Sequence, residues 1–96
     1  MTVADTVAAS LAELFGALSD ANRVRIISEL LAGEMSVGTL ARRLSMSESA
    51  VSHQLRGLRH MRLLRARRQG RQVFYSLADS HIEQLLRMGL DHVKGG

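Results

Sequence analysis

The stretch SESAVSHQLRGLR, Ser47 to Arg59, sets small hydroxyl side chains, one His, one Gln and two Arg on a helical pattern, with Ala50, Val51, Leu55 and Leu58 as its apolar stripe. A helix of this kind suits the major groove of DNA. Short polar side chains permit close approach to base edges, and Gln and Arg can hydrogen-bond to purines. An ordinary amphipathic surface helix with Ser and Arg on its wet side has the same pattern, so the surroundings must decide.

Those surroundings are strongly polarised. Nine of the 13 basic residues fall between Arg42 and Arg71, and the only acid in that stretch is Glu48. The remainder carries four basic and eight acidic residues, so a net charge of +4 conceals a one-sided molecule. All nine are Arg, whose planar fork of donors matches phosphate and guanine. Their concentration around one candidate helix points to a polyanionic partner.

Ninety-six residues make one small domain, in which limited burial leaves stability marginal and a second subunit helpful. Aromatic residues are 3% of the chain, so the core must come from Leu, Ile, Val, Ala and Met. The absence of Pro fits a mainly helical chain. The absence of Cys removes disulfides, thiolate metal sites and thiol redox sensing. No apolar run approaches the roughly 20 residues of a membrane span and no signal peptide is visible, so the chain reads as cytoplasmic.

Upstream of Ser47, helical spacing runs from Val3 to Leu18 through Val7, Leu11, Leu14 and Phe15. Ser19-Asp20 offers an N-cap for a second helix over Ala21–Leu31, which Gly33 ends. Ser36 can cap a short third helix bearing Val37, Leu40, Ala41 and Leu44. Ser45-Met46-Ser47 is then a tight turn and Ser47 the cap of the fourth helix. Short helix, three-residue turn and second helix are the helix-turn-helix arrangement, here about 36–60.

Beyond His60 the period changes. Leu63–Arg67 and Gln72–Leu77 read as two strands joined near Gln69-Gly70, where Gly supplies the positive φ of a hairpin. This wing, about 63–77, carries Arg67, Arg68 and Arg71 at its tip. A final helix, about 80–94, bears Ile82, Leu85, Leu86, Met88, Leu90 and Val93. The expected architecture is mainly α with a small β-hairpin, in the order α-α-α-α-β-β-α. The first helix, about 3–18, and the last have more apolar surface than one chain can cover, which implies a two-fold homodimer. The alternative is that both fold back onto their own core. The expected partner is double-stranded operator DNA, with contacts from Ser47, Ser49, Ser52, His53, Gln54, Arg56, Arg67, Arg68 and Arg71.

One constellation is left over. Asp79 and His81 straddle the start of the last helix, and His92 lies near its end. Eleven residues put the two His on nearly the same side but about 16 Å apart along the axis. One ion cannot reach both within a chain. An antiparallel copy of the helix would bring His92 of one subunit to Asp79 and His81 of the other, and such donors suit zinc, cobalt or nickel. Taken alone, Asp79 can equally be a helix cap and the two His ordinary surface or interface residues.

The residues from about Leu18 to Val93 resemble the ArsR/SmtB family of metal-responsive winged-helix repressors, above all SESAVSHQLRGLR and RRQGRQVFYSLADSH. The resemblance implies a metal site made of Asp79, His81 and His92, and operator binding that is released when zinc or a related ion (cobalt or nickel) fills it. It also implies that His92 signals through its second ring nitrogen to a backbone carbonyl near Arg62. Two departures stand out. The family's Cys-containing motif corresponds here to Ser36-Val37-Gly38-Thr39, without a thiolate. The fourth ligand position, three residues after His92, is Gly95, which leaves a water, a bidentate Asp79 or the Gly96 carboxylate to complete the shell.

The competing readings are a metal-independent winged-helix repressor and a winged-helix module that binds protein. No small organic substrate is expected. An enzyme is disfavoured, because Ser52 and His53 are adjacent on one helix and splay about 100° apart, too far for a nucleophile–base pair.

Overall fold

Four side-chain caps divide the chain into its helices. The computed structural model describes residues 1–95. Helix α1 spans Asp5–Ala17. Asp20 accepts from the Arg23 N–H and opens α2, Ala21–Glu29, which tightens into a 3₁₀ turn at Leu30–Ala32 and stops at Gly33, φ 136°. Ser36 Oγ accepts from the Thr39 N–H and opens α3, Val37–Leu44. Ser47 Oγ accepts from the Ala50 N–H at 3.0 Å and opens α4, Glu48–His60. Asp79 accepts from the His81 and Ile82 N–H groups and opens α5, Ser80–Val93. Each cap satisfies donors that the first turn leaves without a partner.

The turn between α3 and α4 depends on one backbone conformation. Ser45 has φ 54° and ψ 45°, its N–H bonds to the Arg42 carbonyl, and the Met46 N–H bonds to the Ala41 carbonyl at 3.0 Å. That crossed pair is a Schellman ending with Ser where Gly is usual. The end of α4 repeats it, with Arg62 at φ 64° and the Leu63 N–H bonded to the Leu58 carbonyl.

The wing is a three-stranded antiparallel sheet, where periodicity indicated two strands. A two-residue strand β1, Met35–Ser36, joins β2, Leu64–Gln69, and β3, Gln72–Leu77, in the order β1-β3-β2. Met35 pairs with Tyr75 and Ser36 with Phe74. Two residues are too few to register as alternation, so only the pairing reveals the strand. Gln69 faces Gln72, which makes the loop Gly70-Arg71, one residue later than the expected Gln69-Gly70; the positive φ falls on Gly70 as expected.

The core gathers Ile26, Ile27, Leu30, Leu40, Leu44, Val51, Leu55, Leu58, Leu63, Leu64, Tyr75 and Leu86. Ala50, expected in the α4 stripe, is exposed. It lies about 100° round the helix from the buried Val51. The first helix contributes only Leu14 and Ala17, with Leu18 just beyond it. Its stripe of Val7, Leu11 and Phe15 lies in solvent, as do Met88 and Val93 of α5. The radius of gyration is 14.2 Å, above the roughly 12.5 Å of an average domain this size. No helix among the described residues is long and apolar enough to cross a membrane.

Candidate nucleic-acid interface and metal centre

Burial on α4 fixes which residues face outward. Val51, Leu55 and Leu58 are fully buried on one side. At about 3.6 residues per turn the opposite side carries Ser49, His53, Arg56 and His60, all exposed. Ser52 and Gln54 fall on the two flanks and are half-buried. Gln54 is engaged within the fold, its Oε1 accepting from Arg23 Nε at 3.2 Å. Ser47 likewise has a structural task, as the cap of the helix. Ser49, His53 and Arg56, with His60 beyond them, therefore form the open outward face of α4.

The wing arginines are not equivalent. Arg67 donates to both carboxylate oxygens of Glu34, at 3.0 Å from Nε and 2.6 Å from a terminal nitrogen. Its other terminal nitrogen donates to Gln69 Oε1 at 2.8 Å, and its guanidinium lies 5.0 Å from the centre of the Phe74 ring. The hydrogen bond from Arg67 holds the Glu34 carboxyl below its ordinary range and raises the guanidinium correspondingly. Arg68 and Arg71 make no side-chain hydrogen bond or ion pair among the described residues, and neither does Arg56. Arg71 shares a groove with Ser36, Thr39 and Arg42, between the start of α3 and the wing, and Glu48 lines the same groove. Arg42 and Glu48 are not among the contacts expected from the sequence, although both line that groove. Only the proximity of α3 to the wing brings them in.

At the metal constellation, Asp79 Oδ1 accepts from the His81 N–H at 2.9 Å and the Ile82 N–H at 3.1 Å. Its Oδ2 has no hydrogen bond among the described residues. His81 Nδ1 stands 3.8 Å from Asp79 Oδ1, and both side chains are more than half exposed. A free carboxylate oxygen beside an accessible imidazole fits two donors of a divalent ion. His92 lies exposed in the last turn of the same helix. No three His, Cys, Asp or Glu side chains cluster among the described residues. Gly95 has φ 77° and no side chain to give, and the Gly96 carboxylate lies outside the described residues.

Between α1 and α5 runs an apolar groove lined by Phe15, Leu18, Leu85, Leu86, Leu90 and Val93. Of the exposed apolar side chains, Phe15 and Val93 line it.

A short helix, a tight turn, an outward-facing helix and a flanking β-sheet define a winged helix-turn-helix protein. The chain belongs to the arsR family of bacterial regulatory proteins, whose family model matches residues 20–66. It is 51% identical over 87 residues to a transcriptional repressor SmtB homolog of Synechocystis sp., covering 91% of this chain and 66% of that protein. Over 85 residues it is 42% identical to the HTH-type transcriptional regulator NmtR of Mycobacterium tuberculosis, covering 88% and 71%. The crystal structure of the AntR antimony-specific transcriptional repressor superposes with a TM-score of 0.91 at 30% identity, covering 99% of this chain and 86% of that one. These relatives are transcription regulators, not enzymes. The chain thus spans just under two thirds of the Synechocystis protein's length.

Proposed function

We propose that this chain is a homodimeric, metal-responsive repressor that binds operator DNA when metal-free and releases it when a divalent ion, zinc before cobalt or nickel, binds across the α5 helices. The observation that carries the reading is the placement of α5. One end presents Asp79 and His81 to solvent, the other presents His92, and the apolar groove against α1 lies between.

A second copy of the chain covers this groove, burying Phe15, Leu85, Leu90 and Val93 with the α1 stripe. Such burial is worth about 25 cal/mol per Å² before association costs. An antiparallel α5 from that copy brings His92 of the partner subunit to Asp79 and His81. A two-fold pair also offers two copies of Ser49, His53 and Arg56 to successive major grooves about 34 Å apart. Arg68 and Arg71 add phosphate contacts on either flank. AntR is an antimony-specific repressor; this chain has no Cys, and imidazole with carboxylate favours zinc over such a thiophilic element.

When bound, the ion supplies a crosslink between subunits and favours one separation of the two reading helices. Asp79 and His81 hold the α5 start, and His92 passes the change on through its second ring nitrogen, which needs an acceptor once the first is occupied. The Arg62 backbone, held at positive φ where α4 turns into β2, is the recipient we assign. The loss of DNA affinity equals the ion's preference for the released state, typically about 1–3 kcal/mol.

The test is metal stoichiometry together with operator binding. Two zinc ions per dimer and weaker DNA binding at saturating zinc are expected; unchanged DNA affinity removes the sensing role and leaves the DNA-binding role. A metal-independent repressor is the second reading. It is favoured by the cap that already occupies Asp79 Oδ1 and by Gly95 at the fourth ligand position.

A further inference from the structure

We propose that Arg67 is a positioning residue of the wing and that Glu34 is its anchor, so that the wing's phosphate contacts come from Arg68 and Arg71. This rests on the DNA-binding reading above.

The geometry of Arg67 leaves two of its five donors for a ligand, and its fork is already filled. Three guanidinium nitrogens are hydrogen-bonded, two to Glu34 and one to Gln69, and Phe74 lies under the plane. Arg67 and Phe74 are direct partners in the β2–β3 register, so the cation sits on its own cross-strand neighbour. Glu34 is 33 residues earlier, in the loop between the 3₁₀ turn and β1. The bidentate pair therefore ties the hairpin to the body of the domain at a point that the β1–β3 ladder, only two residues long, does not reach. A phosphate would have to displace a carboxylate already placed in the fork. Arg68 and Arg71 pay no such exchange, since neither has an internal partner among the described residues. Arg71 also projects from the loop itself, toward the groove it shares with Arg42.

The two roles separate by their salt dependence. Each phosphate contact contributes about 0.9 to the slope of log affinity against log salt. Binding to a mixed-sequence duplex of about three helical turns is measured over a salt series for the wild type, R68M, R71M and the double variant E34Q/R67M. The double variant removes the clamp at constant net charge. R68M and R71M should each flatten the slope by about 0.9. E34Q/R67M should keep the wild-type slope while binding about three- to tenfold more weakly, because a loosened wing must be ordered on contact. A slope flattened by about 0.9 in E34Q/R67M, or undiminished affinity, overturns the proposal.

Amide hydrogen exchange of β2 and β3 in the free protein gives the second reading. E34Q alone should speed exchange at the hairpin, and unchanged exchange there also overturns the clamp. If the wild type itself binds the duplex without salt dependence, the DNA-binding reading fails and takes the wing role with it, while the exchange result still reports whether Glu34 holds Arg67.

Discussion

Arg23 Nε donates to Gln54 Oε1 across 3.2 Å and so joins the second helix to the flank of the fourth. Arginine can only donate, so the amide oxygen must be the atom that faces it, and the Gln54 NH₂ group is turned the other way. Asp20, the cap of α2, lies 3.9 Å from the same Arg23 nitrogen. A residue that looked from sequence like a base reader is thereby partly committed to setting how α4 sits on α2.

Gln54→Ala should accordingly cost about 0.5–1.5 kcal/mol of stability. It should weaken DNA binding by a similar factor on every sequence. His53→Ala should instead alter base preference with little change in stability. Denaturant melts and binding-site selection on both variants test this; a selective loss of sequence preference in Gln54→Ala would restore it as a direct reader.

Ser45 holds the three-residue turn of the helix-turn-helix at φ 54°. Gly at this position removes the steric penalty of the left-handed conformation but adds freedom to the unfolded chain. Ser45→Gly should be neutral to about 1 kcal/mol stabilising, and Ser45→Val should be destabilising by about 1–2 kcal/mol. The thermal midpoint then moves by several degrees in the unfavourable case. A Ser45→Val protein as stable as the wild type would show that the turn relaxes.

Asp79 caps α5, and the proposed metal site gives it a second task that substitution can separate. Asp79→Asn keeps a capping oxygen but loses the charge that favours a metal ion, so its fold should be nearly unchanged while zinc affinity falls. Asp79→Ala should lose the cap as well, at about 0.5–2 kcal/mol. Zinc titration and thermal melts on the two variants separate these effects. Equal zinc affinity in Asp79→Asn and wild type would remove Asp79 from the metal shell.

The Glu34 carboxyl is held low by the Arg67 hydrogen bond. A group whose folded value is depressed contributes stability above its unfolded value and loses it as pH falls through the folded one. The Glu34–Arg67 contribution is therefore present at neutral pH and disappears in acid, below the usual carboxylate range. A carboxyl-carbon NMR titration should place the Glu34 midpoint below that of an exposed glutamate. In Arg67→Met it should return to the ordinary range.

Phe15 lies half-exposed in the groove beside Leu85 and Leu90. Phe15→Asp should shift the protein toward monomer and weaken operator binding, with the isolated fold retained because Phe15 is outside the core. Sedimentation at several concentrations checks this. A dimer of unchanged affinity would place the interface elsewhere.

The amino-acid order by itself determined the starts of α2 to α5, because Asp20, Ser36, Ser47 and Asp79 cap locally and the apolar spacing beside each is short-range; α1, expected from about residue 3, begins at Asp5 without a side-chain cap. It also determined the hairpin, through Gly70 and the flanking alternation, and the one-sided charge, since nine arginines crowd into one stretch. The tertiary structure decided what sequence distance conceals. Strand β1 exists only because two residues find Tyr75 and Phe74. Arg67 is occupied and Arg68 is not, because Glu34 happens to fold beside one of them. Gln54 turns inward because Arg23, 31 residues earlier, arrives with a donor. Local chemistry is written in adjacent residues, whereas the availability of a side chain for a ligand depends on which distant groups reach it first.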